Sequence, residues 1–333
     1  MPFRVKLASI MIILGIITVG MLTFFVAEYN SKVLIDNTLE NNKNIASAIS
    51  IHLDNYLDEL SKTTKTLATD SIIKDSVIES NLLSSFLSGT DREIRIKELN
   101  DRWIDIDNID HPFIQEYLSN PVSEHLKKQQ EVIPDLYGEI FLTNKYGELI
   151  ASTNKLTTFF HGDKYWWLES YEDGKGKVFF DDRGYDSSVG DFVLGVVVPV
   201  YDNGEVIGIL KSNMRIFKLF DKVLKNYAPL YEPSTIKIAR ADGMVILESG
   251  NEPLSTEISK SFLSLLGDDI ISDTYTDENN KDILISISPI KNTMGSGKFS
   301  FGGKNESIDH ALGNKGSNWV VLLKLPMEYI DEK

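Results

Sequence analysis

Between Phe159 and Tyr185 the chain gathers the side chains that could hold a small organic molecule. Nine of these 27 residues are aromatic: Phe159, Phe160, Tyr165, Trp166, Trp167, Tyr171, Phe179, Phe180 and Tyr185. That is a third of the segment, against 10% of the whole chain. Aromatic walls serve hydrophobic cores and small-ligand pockets alike; taken singly these residues read as core, and as a cluster they favour a pocket. Trp166 and Trp167 are adjacent, so on a helix their side chains diverge by about 100°. One is expected in the core and the other at a cavity. Interspersed are Lys164, Asp181, Asp182, Arg183, Asp186 and Asp191. Most of these polar residues read as surface turns, so the chemistry on offer is the holding of a small solute between aromatic walls.

Signatures of catalysis are absent or weak. The five histidines, His52, His111, His125, His161 and His310, show no metal-binding spacing. His161-Gly-Asp163 reads as a capped turn in preference to a metal site. Met294-Gly-Ser-Gly-Lys298 and Gly302-Gly-Lys304 miss the phosphate-loop pattern, because Phe299 and Asn305 follow the lysines. Asp181 and Asp182 are strand neighbours, point to opposite faces, and cannot act as a carboxylate pair. With no cysteine in 333 residues, disulfides and thiolate chemistry are excluded. No cofactor is expected.

Charge narrows the partners. The net charge is -15, which argues against nucleic acid, whose phosphates call for lysine and arginine, and against adhesion to an anionic membrane face. Leu7 to Ala27 is free of charge over 21 residues, and roughly 20 suffice to cross a bilayer as helix. Phe24, Phe25 and Val26 make a poor cleavage site, so a retained anchor is preferred to a signal peptide. Arg4 and Lys6 precede this span and Glu28 follows it. Positive-inside therefore leaves residues 1–6 in the cytoplasm and everything after 27 outside.

The elements that must position the aromatic segment follow from periodicity. Residues 28–80 read as one long helix. Leu39, Ala46, Leu53, Leu60 and Leu67 recur every seven residues, with Ile35, Asn42, Ile49, Tyr56 and Thr63 four residues behind. This 3–4 seam suits either packing on its own domain or a parallel homodimer. Residues 81–136 look helical, with breaks at Gly89, Pro112, Pro121 and Pro134. Strands are predicted at 139–143, 148–152, 177–181, 191–201 and 205–213, with a helix capped by Asp163 between the second and third. A weaker repeat follows: a helix at 215–226, a hairpin at 235–248, a helix at 256–266, and strands at 273–276, 281–289 and 318–325. The stretch 291–317 reads as a long loop. The fold class is α+β: two tandem units with antiparallel sheets, residues 81–214 and 215–333, carried by a long helix behind one membrane span.

This arrangement resembles the double Cache (PAS-like) extracytoplasmic sensor domains of bacterial transmembrane receptors. The residues carrying the resemblance are the FLTNKYGELIAST hairpin, GDKYWW, GKGKVFFDDRGYD, the strand ending Pro199-Val-Tyr-Asp-Asn-Gly204, and Val206-Ile-Gly-Ile-Leu210. It implies a sensor region in the bacterial cytoplasmic membrane, residues 28–333 outside, whose chemotaxis, kinase, cyclase or phosphatase output is missing from this chain. It also implies a small-molecule ligand, carboxylate- or amino-acid-like. On the family's amino-acid motif, Trp166 and Trp167 match the aromatic pair, Lys164 takes an arginine's place, Asp186 matches one acid and Asn213 replaces the other. Phe159 and Tyr185 complete the implied lining. Lys164 is a point charge without arginine's planar fork, and Asn213 removes a negative charge, so a standard α-amino acid fits less well than another carboxylate. The alternatives are a membrane-anchored solute-binding or adhesion module without signalling output, and an anchored hydrolase.

Overall fold

The computed structural model describes residues 3–133, 135–227, 234–248, 251, 253–267, 269–293, 299–302 and 318–331. Helix α1 (Phe3–Ala68) is continuous, about 100 Å long at 1.5 Å per residue. Every described side chain from Leu7 to Asn30 is exposed, and among the described residues α1 is the one helix long and apolar enough to cross a membrane.

The predicted helix over 28–80 is interrupted. Thr69 and Asp70 close α1 with tight turns, their amides donating to the Thr66 and Leu67 carbonyls at 3.0 and 3.1 Å. Asp70 then starts α2 (Ser71–Ser85). No proline or glycine marks the break; an aspartate before a serine is its only local sign.

Two six-stranded sheets follow. The first runs β11-β3-β4-β5-β1-β2, the strands being β1 (Tyr137–Asn144), β2 (Leu149–Ser152), β3 (Phe179–Asp186), β4 (Asp191–Asp202), β5 (Glu205–Arg215) and β11 (Ser300–Gly302). The second runs β8-β7-β6-β12-β10-β9, from β6 (Thr235–Arg240), β7 (Met244–Glu248), β8 (Thr256–Glu257), β9 (Ile271–Thr276), β10 (Asp282–Ile290) and β12 (Trp319–Pro326). Helix α7 (Ile216–Tyr227) links them. The predicted helix over 256–266 is the short strand β8 and a 3-10 helix, Lys260–Leu265.

One core joins both units along α1. Ile49, Leu53, Leu57 and Leu60 pack with Ile140, Val196 and Leu210 of the first sheet and with Ile238, Val321 and Leu323 of the second. Of the two readings of the heptad seam, packing on its own domain accounts for Ala46, Leu53, Leu60 and Leu67, which are buried within their own chain. A 3–4 pattern records only that a helix has one apolar face, and here two sheets cover it.

Helix α5 (Pro121–Val132) packs Val122 and Leu126 into this core, and the opposite face of the first sheet carries α3 (Gly89–Asp105), α4 (Pro112–Leu118) and α6 (Tyr165–Tyr171). Trp103, Phe113, Phe141, Phe159, Trp167 and Phe179 form a second core there. Lys164, not Asp163, is the residue before α6, and it caps nothing with its side chain.

Of the predicted loop 291–317, residues 294–298 and 303–317 lie outside the described residues. Residues 300–302 form β11, which lies parallel to β3 at the edge of the first sheet. The second unit's chain therefore completes the first unit's sheet. Phe299 meets Phe180 edge-to-face at 5.2 Å, Phe301 stacks on it at 5.5 Å, and Phe301 meets Trp319 at 4.8 Å.

Candidate ligand-binding site

The site is built from two cross-strand rows on the helix-covered face of the first sheet. Registers align Asp181, Gly195, Asn213 and Glu139 across β3, β4, β5 and β1, and beside them Phe179, Val197, Lys211 and Phe141. Side chains two apart on a strand share a face, so one surface carries three polar groups in one row and a lysine among apolar neighbours in the next. Glycine at 195 makes room: a Cβ there would come within 2.6 Å of Lys211 Cε and 3.0 Å of Asn213 Oδ1.

Over these rows lies a small cavity of about 30 Å3, lined by Glu139, Phe141, Lys211 and Asn213 from the sheet. Leu156, Thr157, Thr158, His161, Lys164, Trp166 and Ser188 close it from above. Lys211, fully buried, donates to Asp181 Oδ2 at 2.6 Å and lies 4.2 Å from the centre of the Trp166 ring. Trp166 also meets His161 at 5.6 Å and Phe141 at 5.6 Å. Asn213 Nδ2 bridges two acids, donating to Glu139 Oε1 at 2.9 Å and to Asp186 Oδ2 at 3.0 Å. Ser188 Oγ lies 3.1 and 2.7 Å from the same two carboxylates, and its single proton can go to either.

Glu139 is a buried carboxyl within this set. Burial, and next the charge of Asp186, push its carboxyl from the ordinary 4.5 up to about 7, against opposing hydrogen bonds from Ser188 and Asn213. Two buried acceptors, Glu139 Oε2 and Asn213 Oδ1, have no hydrogen-bond donor among the described residues. Buried polar atoms are nearly always paired, so this wall is short of N–H or O–H donors.

The sequence-predicted residues separate. Trp166, Lys164 and Asn213 line the cavity, and Asp186 backs it through Asn213. Trp167 belongs to the core, stacked on Tyr171 at 4.6 Å with its indole N–H donating to Thr143 Oγ1 at 2.9 Å. Phe159 packs on Tyr117 at 5.1 Å and Trp103 at 6.2 Å, away from this cavity. Tyr185 is 48% exposed against Phe192, outside the lining. Glu139, Lys211 and Ser188 were missed. Two of them carried a sign: Glu139 and Lys211 alternate with apolar residues on the inward face of strands whose neighbours are all buried, and a lone charge at such a position is rare without a partner.

Asp182 turns to the other face. It is buried and accepts from the Trp319 indole N–H of β12 at 3.0 Å. Burial lifts its carboxyl to about 7, although the nearby Arg240 opposes this. Neighbouring residues of β3 thus serve the cavity and the contact between units.

No protein-family model matches the chain, and no curated protein does. Solved structures do. The ligand-binding domain of the Campylobacter jejuni chemoreceptor Tlp3, in complex with L-norvaline, is 15% identical over 90% of this chain and 95% of that one, with a TM-score of 0.50. The extracellular domains of vpHK1S-Z8 and soHK1S-Z6, both named as histidine kinases, are each 13% identical, with TM-scores of 0.54 and 0.51. They cover 90% and 91% of this chain and 97% and 99% of their own. The chain has the double Cache fold. The helix-covered cavity lies on the first of the two sheets, and β11 and Trp319 tie the second sheet to the first.

Proposed function

We propose that the chain is the extracytoplasmic sensor region of a membrane-anchored signal-transduction receptor, and that the cavity under Trp166 takes a small solute bearing an ammonium group. The fold is shared with sensor domains, and the apolar span of α1 supplies an anchor. The observation that carries the ligand class is the pair of unspent acceptors, Glu139 Oε2 and Asn213 Oδ1. An ammonium supplies three donors. Lys164, 21% exposed at the rim, is placed to meet a carboxylate on the same ligand.

At about 30 Å3 the cavity holds one or two waters and no organic ligand. Entry requires the segment Leu156–Lys164 to part from the sheet. A ligand that binds only the parted form shifts the equilibrium by its differential affinity, and Asp181–Asp182 on β3 carries that change toward Trp319 of the second unit. In the membrane-anchored protein this unit lies nearer the bilayer.

The test is calorimetry on the full chain in detergent micelles, with norvaline, n-butylamine and pentanoate as a matched set. Binding of an amine-bearing member is expected, weakened about ten- to hundredfold by Glu139→Gln, the range for hydrogen bonds to charged groups. Pentanoate binding as tightly as the amines, and unaffected by Glu139→Gln, would refute the assignment.

A further inference from the structure

A second cavity, about 370 Å3, opens over the edge strand β2 and shares no lining residue with the first. Glu148, Leu149 and Ile150 form its floor, Ser76 and Ser80 of α2 one wall, and Tyr117 the other. The segment 156–161 divides the two: Thr157 and Thr158 line the first cavity and Phe159 this one. Its volume lies within the range of small-molecule sites.

Its charges cancel internally. Glu148 is buried and accepts from Arg95, from Ser84, and from Asn144 Nδ2 at 2.5 Å. A carboxylate held by three donors has little left to attract a cation. Arg95 uses only Nη2, on Glu148 and on Ser84 Oγ at 3.0 Å, and its buried Nε–H donates to nothing among the described residues. Burial pushes the Tyr117 hydroxyl up to about 12, so it stays a donor at neutral pH. An anion drawn to Arg95 would meet Glu148 and, on the wall, Glu79; a cation would meet Arg95. Hydroxyl groups satisfy both, accepting from Arg95 and Tyr117 and donating to Glu79. The rings of Tyr117 and Phe159, with Leu149 and Val122, supply an apolar face for C–H groups.

We propose that this cavity is a second binding site, independent of the first, for a neutral polyhydroxylated solute of monosaccharide size. The full chain in detergent micelles is titrated calorimetrically with glucose, galactose, ribose and myo-inositol, and with phosphate and citrate. At least one polyol is expected to bind. Ser76→Leu, which fills the cavity, abolishes that binding; Tyr117→Phe, an isosteric change, weakens it about two- to tenfold; Glu139→Gln leaves it unchanged. Melting temperatures establish that each variant is folded, and Tyr117→Phe decides alone if Ser76→Leu is not. The proposal is overturned if no polyol binds, or if binding survives both cavity variants. It is also overturned if Glu139→Gln removes binding, which assigns the solute to the other cavity, or if only the anions bind.

Discussion

Replacing Glu139 by glutamine separates the charge of this group from its shape. In the folded chain its carboxyl titrates at about 7, against an ordinary 4.5, so between these pH values the native state keeps a proton that the unfolded state has released. The stability from this proton is fully present below about pH 4.5 and is lost as pH rises through about 7. A gap of that size corresponds to about 3 kcal/mol, and Glu139 is almost wholly buried, so little of it is screened. The Glu139 carboxyl alone should cost the wild type up to this amount between pH 5 and 8, so Glu139→Gln should lose about 3 kcal/mol less than the wild type over the same range. Near pH 5 the two should be nearly equal, because a protonated carboxyl and an amide are close isosteres. Asp182 rises to about 7 for the same reason, so part of the slope remains, and adding Asp182→Asn should remove most of it. The four tryptophans, Trp103, Trp166, Trp167 and Trp319, are all buried, so their fluorescence reports urea unfolding directly. Parallel wild-type and Glu139→Gln stability curves across pH 5–8 would show that Glu139 is not a strained carboxyl and would remove the electrostatic ground for the proposed ligand class.

Trp319→Phe should destabilise by about 1–3 kcal/mol, since it leaves the buried Asp182 without its 3.0 Å donor; an unchanged urea midpoint would deny the hydrogen bond any part in joining the units. Leu53→Ala should cost about 2–5 kcal/mol, and cysteine at position 53 or 60 should give no crosslink between copies in membranes, because both positions are buried; a crosslink at either would restore the seam as a dimer contact. Lys164→Ala should leave the urea midpoint within about 1 kcal/mol and weaken norvaline more than n-butylamine in calorimetry, because only norvaline offers the lysine a carboxylate; equal weakening would move Lys164 out of the site. A reporter enzyme fused after residue 60 should be active only outside the cytoplasm, and cytoplasmic activity would reverse the proposed topology.

Much of the architecture was legible in local chemistry. The uncharged run from Leu7 to Ala27 marks a helix long and apolar enough to cross a membrane, and turn residues such as Asn144-Lys-Tyr-Gly147 and Asp202-Asn-Gly204 punctuate β1–β2 and β4–β5. These signals act within a few residues, so the chain carries them openly. The divergence of Trp166 and Trp167 is equally local, being the pitch of a helix. Which of the two meets a cavity is not: Trp166 does so because Lys211, 45 positions later, comes beneath it. Tertiary structure alone decided the rest. The heptad of α1 states that one face is apolar but not what covers it, and two sheets cover it. Residues 300–302 carry no strand signal strong enough to place them, yet they complete the first unit's sheet because β3 offers an open edge. The acid pair Glu139 and Asp186 is bridged by Asn213 only because β1, β3 and β5 lie in one sheet in that register, a pairing of residues 27 to 74 positions apart that no local pattern encodes.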